Sequence, residues 1–211
     1  SIHFAWKGSR LWYADQVMVF VHESNRDVVG DFTLEIISGS ISPEDAGKVV
    51  RLLNKVWPEA GVDYSQMAQG LFDWTREDPS LQLLLVWKEN RLVGHAQLFQ
   101  RVIKSDEGQI ALLGLAAVCS HPDFRGQGIG KILVRRAFEE VDLSHYPVCL
   151  FQTGVTEFYK KLGAVEVDNR FMNRNNREDP GANPWWEDHV MIYPDYPNWP
   201  KGDINLNGPG Y

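Results

Sequence analysis

The order and periodicity of the apolar residues predict an α/β fold, a mixed sheet with helices on both faces. Three observations carry this expectation. Strand-like runs alternate with amphipathic helical stretches over residues 32–193, the pattern of a layered α/β domain. The run Ile110–Ser120 is apolar on both of its faces, as befits a central strand covered on both sides. A glycine-rich segment, Arg125–Gly130, then separates that strand from an amphipathic helix.

Taken in order, residues 1–31 contain Trp6, Trp12 and the run Val17–Val21, which reads as one or two strands of an N-terminal extension. The main domain is expected over 32–211, including a tail at 194–211. Phe32–Ile37 alternates like a half-buried strand and ends at Gly39. Ser42 followed by Pro43, Glu44 and Asp45 supplies an N-cap, a proline for the first turn and early acidic residues, so a helix should run to about Trp57, stopped by Pro58. Asp63 and Gln66 have capping-box spacing, and Tyr64, Met67, Ala68 and Leu71 share one face of a second helix that ends at Asp78–Pro79. Leu81–Trp87 and Leu92–Phe99 flank Lys88–Arg91, which reads as a hairpin with a four-residue connection. Beyond the glycine segment, Ile129, Ile132, Leu133, Ala137 and Val141 form one helical stripe. A strand at Val148–Gln152, a short helix at Val155–Leu162 stopped by Gly163, and a strand at Ala164–Val167 follow. Residues 171–188 lack periodicity and read as a long surface loop, before a last strand at His189–Tyr193 and an irregular tail.

Composition narrows the function. A net charge of −7 argues against a nucleic-acid partner and suits a cationic one. The two cysteines, Cys119 and Cys149, sit inside apolar runs without framework spacing, so both read as buried thiols rather than a disulfide or a catalytic nucleophile. The histidines are scattered without ligand spacing, so no metal site is expected. No run approaches the roughly 20 apolar residues of a membrane span, and the first residues lack the succession of a signal peptide. A cytoplasmic protein without a membrane partner is the expectation.

Arg125–Gly130 carries the chemistry. Glycines between a buried strand and a helix let backbone N–H groups converge, and a helix N-terminus favours an anion such as a pyrophosphate. Spacing separates the candidates. A P-loop needs Gly at Arg125 and Ser or Thr at Ile132, and a dinucleotide fingerprint needs its third glycine at Lys131 or Leu133; none is present. The remaining pattern, R-x-x-G-x-G after a strand and opening a helix, resembles the coenzyme-A pyrophosphate loop of the GNAT acetyltransferase superfamily. Val118–Phe124 resembles the approach to that loop, and Phe158–Val165 resembles the family's second hallmark.

The resemblance, over about residues 32–193, implies a strongly twisted GNAT sheet and acetyl-CoA as acyl donor. Backbone groups of Val118 and Ser120 would pair with the thioester and pantetheine. Amides of Arg125, Gly126, Gln127, Gly128, Ile129 and Gly130 would hold the pyrophosphate, so a side chain at Gly128 or Gly130 should obstruct the donor. Tyr159 stands where the family places its general acid, although Val155, Phe158, Tyr159 and Leu162 also fit the spacing of a helix core. Glu35, His95 and His121 are candidates for the base.

Leu92–Arg101, Trp199–Ile204 and the aromatic Tyr211 resemble the aminoglycoside 2′-N-acetyltransferases, but Ala116 stands where that branch carries a Glu. The expected acceptor is a small-molecule primary amine, an aminoglycoside or another small cation. The loop bearing Glu178, Asp179, Trp185, Trp186, Glu187 and Asp188 is placed to border it. The resemblance leaves room for a homodimer. It also leaves two other readings open: a noncatalytic acyl-CoA sensor, and a domain acting on the acyl group by decarboxylation or transfer to a carrier.

Overall fold

The computed structural model describes residues 23–211; the strand expected at Val17–Val21 lies outside the described residues. Alternation decides which face each strand side chain takes. In β3 (Gln82–Lys88), Leu84 and Val86 join the core under one sheet face while Leu83, Leu85 and Trp87 join the core under the other, as a period of two requires. The strands β1 (Glu23–Val29), β2 (Phe32–Ser38), β3, β4 (Arg91–Ser105) and β5 (Gly108–Ser120) form an antiparallel meander. The sheet continues through β6 (Cys149–Thr153), β9 (His189–Tyr193) and β7 (Val165–Val167), in the order β1-β2-β3-β4-β5-β6-β9-β7. Only the β5–β6 step along this path is parallel.

Helices cover both faces, as expected. On one side lie α1 (Pro43–Val56) and α2 (Tyr64–Glu77), and on the other α3 (Ile129–Glu139) and α4 (Thr156–Lys160). The caps follow the sequence signals: the Ser42 hydroxyl accepts from the Asp45 N–H at 3.0 Å and the Asp63 carboxylate accepts from the Gln66 N–H at 3.0 Å. Each satisfies an N–H that the helix cannot. The buried stripe of α2 is narrower than expected, because Leu71 and Thr75 are covered while Tyr64 is exposed and accepts a bond from Asn54 of α1.

Four expectations need correction. The β3–β4 connection is two residues, Glu89–Asn90, because Lys88 and Arg91 still pair across the hairpin and Glu89 turns the chain at φ 54°. The tight turn suits the strand twist better than a longer one. β4 continues past Phe99 to Ser105: Arg101 interrupts the apolar pattern, yet its guanidinium lies over the Phe99 and Tyr211 rings and stays paired opposite Leu112. The segment 171–188 is not wholly a surface loop, since Phe171–Met172 forms the buried strand β8 and Trp185 is buried. The tail contains β10 (Ile204–Asn205), which pairs with β4 and β8 and buries Ile204 and Leu206. Non-local burial overrode the polar look of both segments.

Candidate functional site

The site begins where β5 leaves β6. The two strands pair only at Leu113↔Cys149 and Gly114↔Leu150, with the Leu113 N–H donating to Val148 at 2.9 Å. Beyond this point β5 follows β4 to Ser120, while β6 follows β9 to Thr153. A bulge lies at the parting. Between the pairs His95↔Cys119 and Gln97↔Ala116, β4 supplies one residue and β5 supplies two, Ala117 and Val118. Such an insertion bends the strand and ends its pairing. Ala117 adopts φ 50°. Ala116, Ala117 and Val118 are half-buried within a strand whose preceding residues, Leu112–Leu115, are buried. Val118 and Ser120 thus lie on the length of β5 that has parted from Phe151–Thr153 of β6.

The glycine loop faces the same end of the sheet. Pro122–Phe124 forms one tight turn after His121, and Arg125–Gly128 is exposed. Gly126 and Gly128 adopt φ 79° and 85°, which only glycine enters cheaply. Gly128 caps α3 without a side-chain partner, and no acidic residue lies in the first turn. A Cβ on either glycine would meet nothing within 4 Å, so the space before the loop is open. Gly130 differs: it has no positive φ, and a Cβ there would stand 3.4 Å from Phe158 Cζ, an ordinary contact that places α4 close to the first turn of α3. The residues singled out around the loop are therefore brought together at an uncovered helix start, although the Arg125 N–H donates back to the Pro122 carbonyl at 3.4 Å.

α4 sets Tyr159 beside this opening. Its ring packs against Phe151 of β6 at 4.5 Å and Phe158 at 4.9 Å between centroids. Burial, and secondarily the nearby Cys149 thiol, push its phenol above the ordinary range. The Tyr159 hydroxyl has no hydrogen-bond partner among the described residues, yet it is not among the sealed unpaired atoms, which are Gln82 Oε1, His95 Nε2, Trp185 Nε1 and the Tyr211 hydroxyl. It is a protonated donor with an unused bond.

Each base candidate is engaged by the framework around the site. Glu35 is buried and accepts from Arg26 Nε at 3.0 Å and Trp87 Nε1 at 2.8 Å, which commits both oxygens to the β1–β3 framework. His95 is wholly buried and lowered to about 4 by that burial, with the bond to Ala117 opposing the shift. His121 caps the turn before the loop, its Nδ1 accepting from the Asp123 N–H while Arg91 lies 2.9 Å from Nε2. Burial and Arg91 lower its affinity for a proton. Both thiols are buried, and desolvation raises Cys119 to about 12 and Cys149 further.

One residue of the site escaped the sequence reading. A Cβ on Gly94 would lie 2.4 Å from Ile129 Cγ2, so the first turn of α3 rests directly on β4 at this glycine. A lone glycine inside a strand pattern is the available signal for such an approach. The loop expected to border the acceptor folds over the end of β6: Gln152 Oε1 accepts from the Trp186 and Glu187 N–H groups at 2.9 and 2.8 Å. A cavity of about 660 Å³ lies on the β7–β9 edge beside it, lined by Glu166, Asp168, Arg170, Trp185, Glu187 and Asp188 among others. Among the described residues no group of three or more His, Cys, Asp or Glu side chains could hold a metal, and no helix is long and apolar enough to cross a membrane.

The family model described as "Acetyltransferase (GNAT) family" matches residues 48–164, which run from within α1 through the bulge and the glycine loop to just past Tyr159. The chain belongs to the GNAT acetyltransferase family. Solved GNAT structures share its fold. A GNAT family acetyltransferase from Brucella melitensis, solved in complex with acetyl-CoA, is 16% identical over 82% of this chain and 94% of its own, at a TM-score of 0.52. An acetyltransferase from Trypanosoma brucei is 21% identical over 63% of this chain and 92% of its own, at 0.51. A GCN5-related N-acetyltransferase from Kribbella flavida reaches 0.53 at 19% identity, over 64% of this chain and 34% of its own, so this GNAT chain matches about a third of that protein. No functionally curated protein matches the chain significantly.

Proposed function

We propose that the chain transfers the acetyl group of acetyl-CoA to a primary amine by direct attack, with Tyr159 as general acid. One observation carries this reading: the parted strands, the uncapped glycine-led start of α3 and the unused Tyr159 hydroxyl meet at one end of the sheet. Amides of Arg125–Gly130 suit a pyrophosphate, which needs converging N–H donors and no competing carboxylate. Main-chain groups of Val118 and Ser120, on the unpaired stretch of β5, suit an extended pantetheine. The Brucella melitensis protein, being described with acetyl-CoA, supports the choice of donor.

The sealed thiols favour direct transfer, since neither is a thiolate at neutral pH. Burial keeps the Tyr159 phenol protonated, so it can pass its proton to the departing thiolate, a contribution of about 10²- to 10⁴-fold. Glu35 and His95 are committed to the framework and His121 to the turn beside Arg91, so the proton of the incoming ammonium passes to water at the half-buried Ala116–Val118. The acceptor is a small cationic amine, with aminoglycosides and polyamines as the leading classes. Trp186, Glu187 and Asp188, beside the end of β6, support it by charge and stacking.

The test is release of coenzyme-A thiol from acetyl-CoA across aminoglycosides, polyamines, amino acids and short peptides. Turnover on a cationic amine class bears the reading out. Binding of acetyl-CoA with no turnover on any amine turns the assignment toward a sensor.

A further inference from the structure

Three residues other than glycine have positive φ among the described residues: Glu89 in a hairpin turn, Asn207 in the tail, and Ala117 in the middle of a strand. Turns explain the first, and Asn enters this region readily. Nothing in the nature of alanine explains Ala117, which must be held there by its surroundings.

The surroundings contain one polar hold. His95, on the neighbouring strand β4, places Nδ1 3.0 Å from the Ala117 carbonyl oxygen. The contact requires the proton on Nδ1, because a carbonyl can only accept. Nε2 is then a lone pair sealed from solvent, without a partner. Keeping a fully buried imidazole with one nitrogen unsatisfied is costly, where a leucine would fill similar space at no such cost. His95 also belongs to one of the two pairs, His95↔Cys119 and Gln97↔Ala116, between which the extra β5 residue is inserted.

We infer that His95 is a positioning residue, which by donating from Nδ1 to the Ala117 carbonyl holds the left-handed kink that turns Ala117 and Val118 out of register with β4 and toward the acyl donor. It touches neither substrate. Its effect runs through the main chain of β5, and the inference rests on the reading above that the donor lies between β5 and β6. The depressed proton affinity of His95 agrees, since the ring stays neutral across the physiological range and the Nδ1 donor is always present.

The geometry of amide side chains supplies the test, read as acetyl-CoA affinity by calorimetry with the acceptor KM measured beside it. In His95→Asn the side-chain amide nitrogen would stand near the place of imidazole Nδ1, whereas in His95→Gln it would stand near Nε2. His95→Leu and His95→Gln are expected to weaken acetyl-CoA binding about tenfold, the cost of one lost buried hydrogen bond, with little change in acceptor KM. His95→Asn should recover most of the affinity, even though it leaves a void and melts lower. Glycine reaches positive φ unaided, so adding Ala117→Gly to His95→Leu should also restore binding. Should the leucine variant fail to fold, the glutamine and asparagine variants still decide the matter.

Equal acetyl-CoA affinity in the asparagine and glutamine variants, or wild-type affinity in the leucine variant, overturns the inference while leaving the donor site intact. Wild-type protein that binds no acetyl-CoA overturns both.

Discussion

β5 has two unlike flanks. Along β4 it is paired from Ser105↔Gly108 to Gly94↔Ser120, interrupted once at the bulge, whereas along β6 it is paired only at Leu113 and Gly114. The first flank is closed and covered by helices on both faces. The second parts after two residues and leaves main-chain groups for something other than a strand. Backbone groups in a sheet interior must be satisfied, so an unpaired length of central strand reads as a place for an extended ligand. The lesson is that this site arises by withholding pairing from an ordinary strand.

Attacking the open flank should produce the largest effect. Gly128→Asp combines a strained φ with a carboxylate at the helix start, where the dipole favours the ligand's own negative charge. Acetyl-CoA binding by calorimetry should be lost while the melting transition remains. Retained affinity would falsify the placement of the donor. Tyr159→Phe keeps the packing against Phe151 and removes only the unused hydroxyl. Turnover should fall about 100-fold or more with donor affinity nearly unchanged, and an unaffected rate removes Tyr159 from the chemistry.

The closed flank should answer in stability. His95 binds its proton with a pKa of about 4 when folded, against 6.5 for a free imidazole. The unfolded chain therefore binds more protons between these values, so the contribution is complete above pH 6.5 and declines as pH falls toward 4. Between pH 7.5 and 5 this one group should cost about 2 kcal/mol. Denaturant titration at the two pH values checks it, and His95→Leu should flatten the slope by that amount. The smallest effect is expected from Ser42→Ala, far from either flank. Loss of this cap should lower stability by about 1 kcal/mol and leave acetyl-CoA affinity alone. A change in affinity there shows that α1 and the cleft are coupled.

What the sequence made legible was local. The caps at Ser42 and Asp63, the glycines at 126 and 128, and the helix stop at Gly163 each act within a few residues of their own position, and each appears where its chemistry demands. Two separated motifs also pointed to the glycine loop and Tyr159, which the fold sets at one end of the sheet. The rest depended on partners distant in sequence. The kink at Ala117 carries no glycine to announce it, because a histidine 22 residues away bonds its carbonyl. β10 could not be read from Ile204–Asn205 alone, since its pairing with Lys104 and Phe171 supplies the reason it exists. Arg101 ended the apparent strand because a charge looks like an end when the rings beneath it are unseen.

Gln152 uses its amide in two directions. Its oxygen accepts from the main chain at Trp186 and Glu187, and its nitrogen donates to the main-chain oxygen of Tyr211 at 2.8 Å. One side chain thus fastens a loop and a tail to the same strand. Variation across descendants of this sequence is channelled accordingly: Arg177 and Glu178, whose side chains are exposed, can drift with little consequence, whereas Asn175 is tied to the tail at Asn207. A change of length near Trp186 must instead be answered by the tail, so diversification of this edge proceeds by paired rather than single steps.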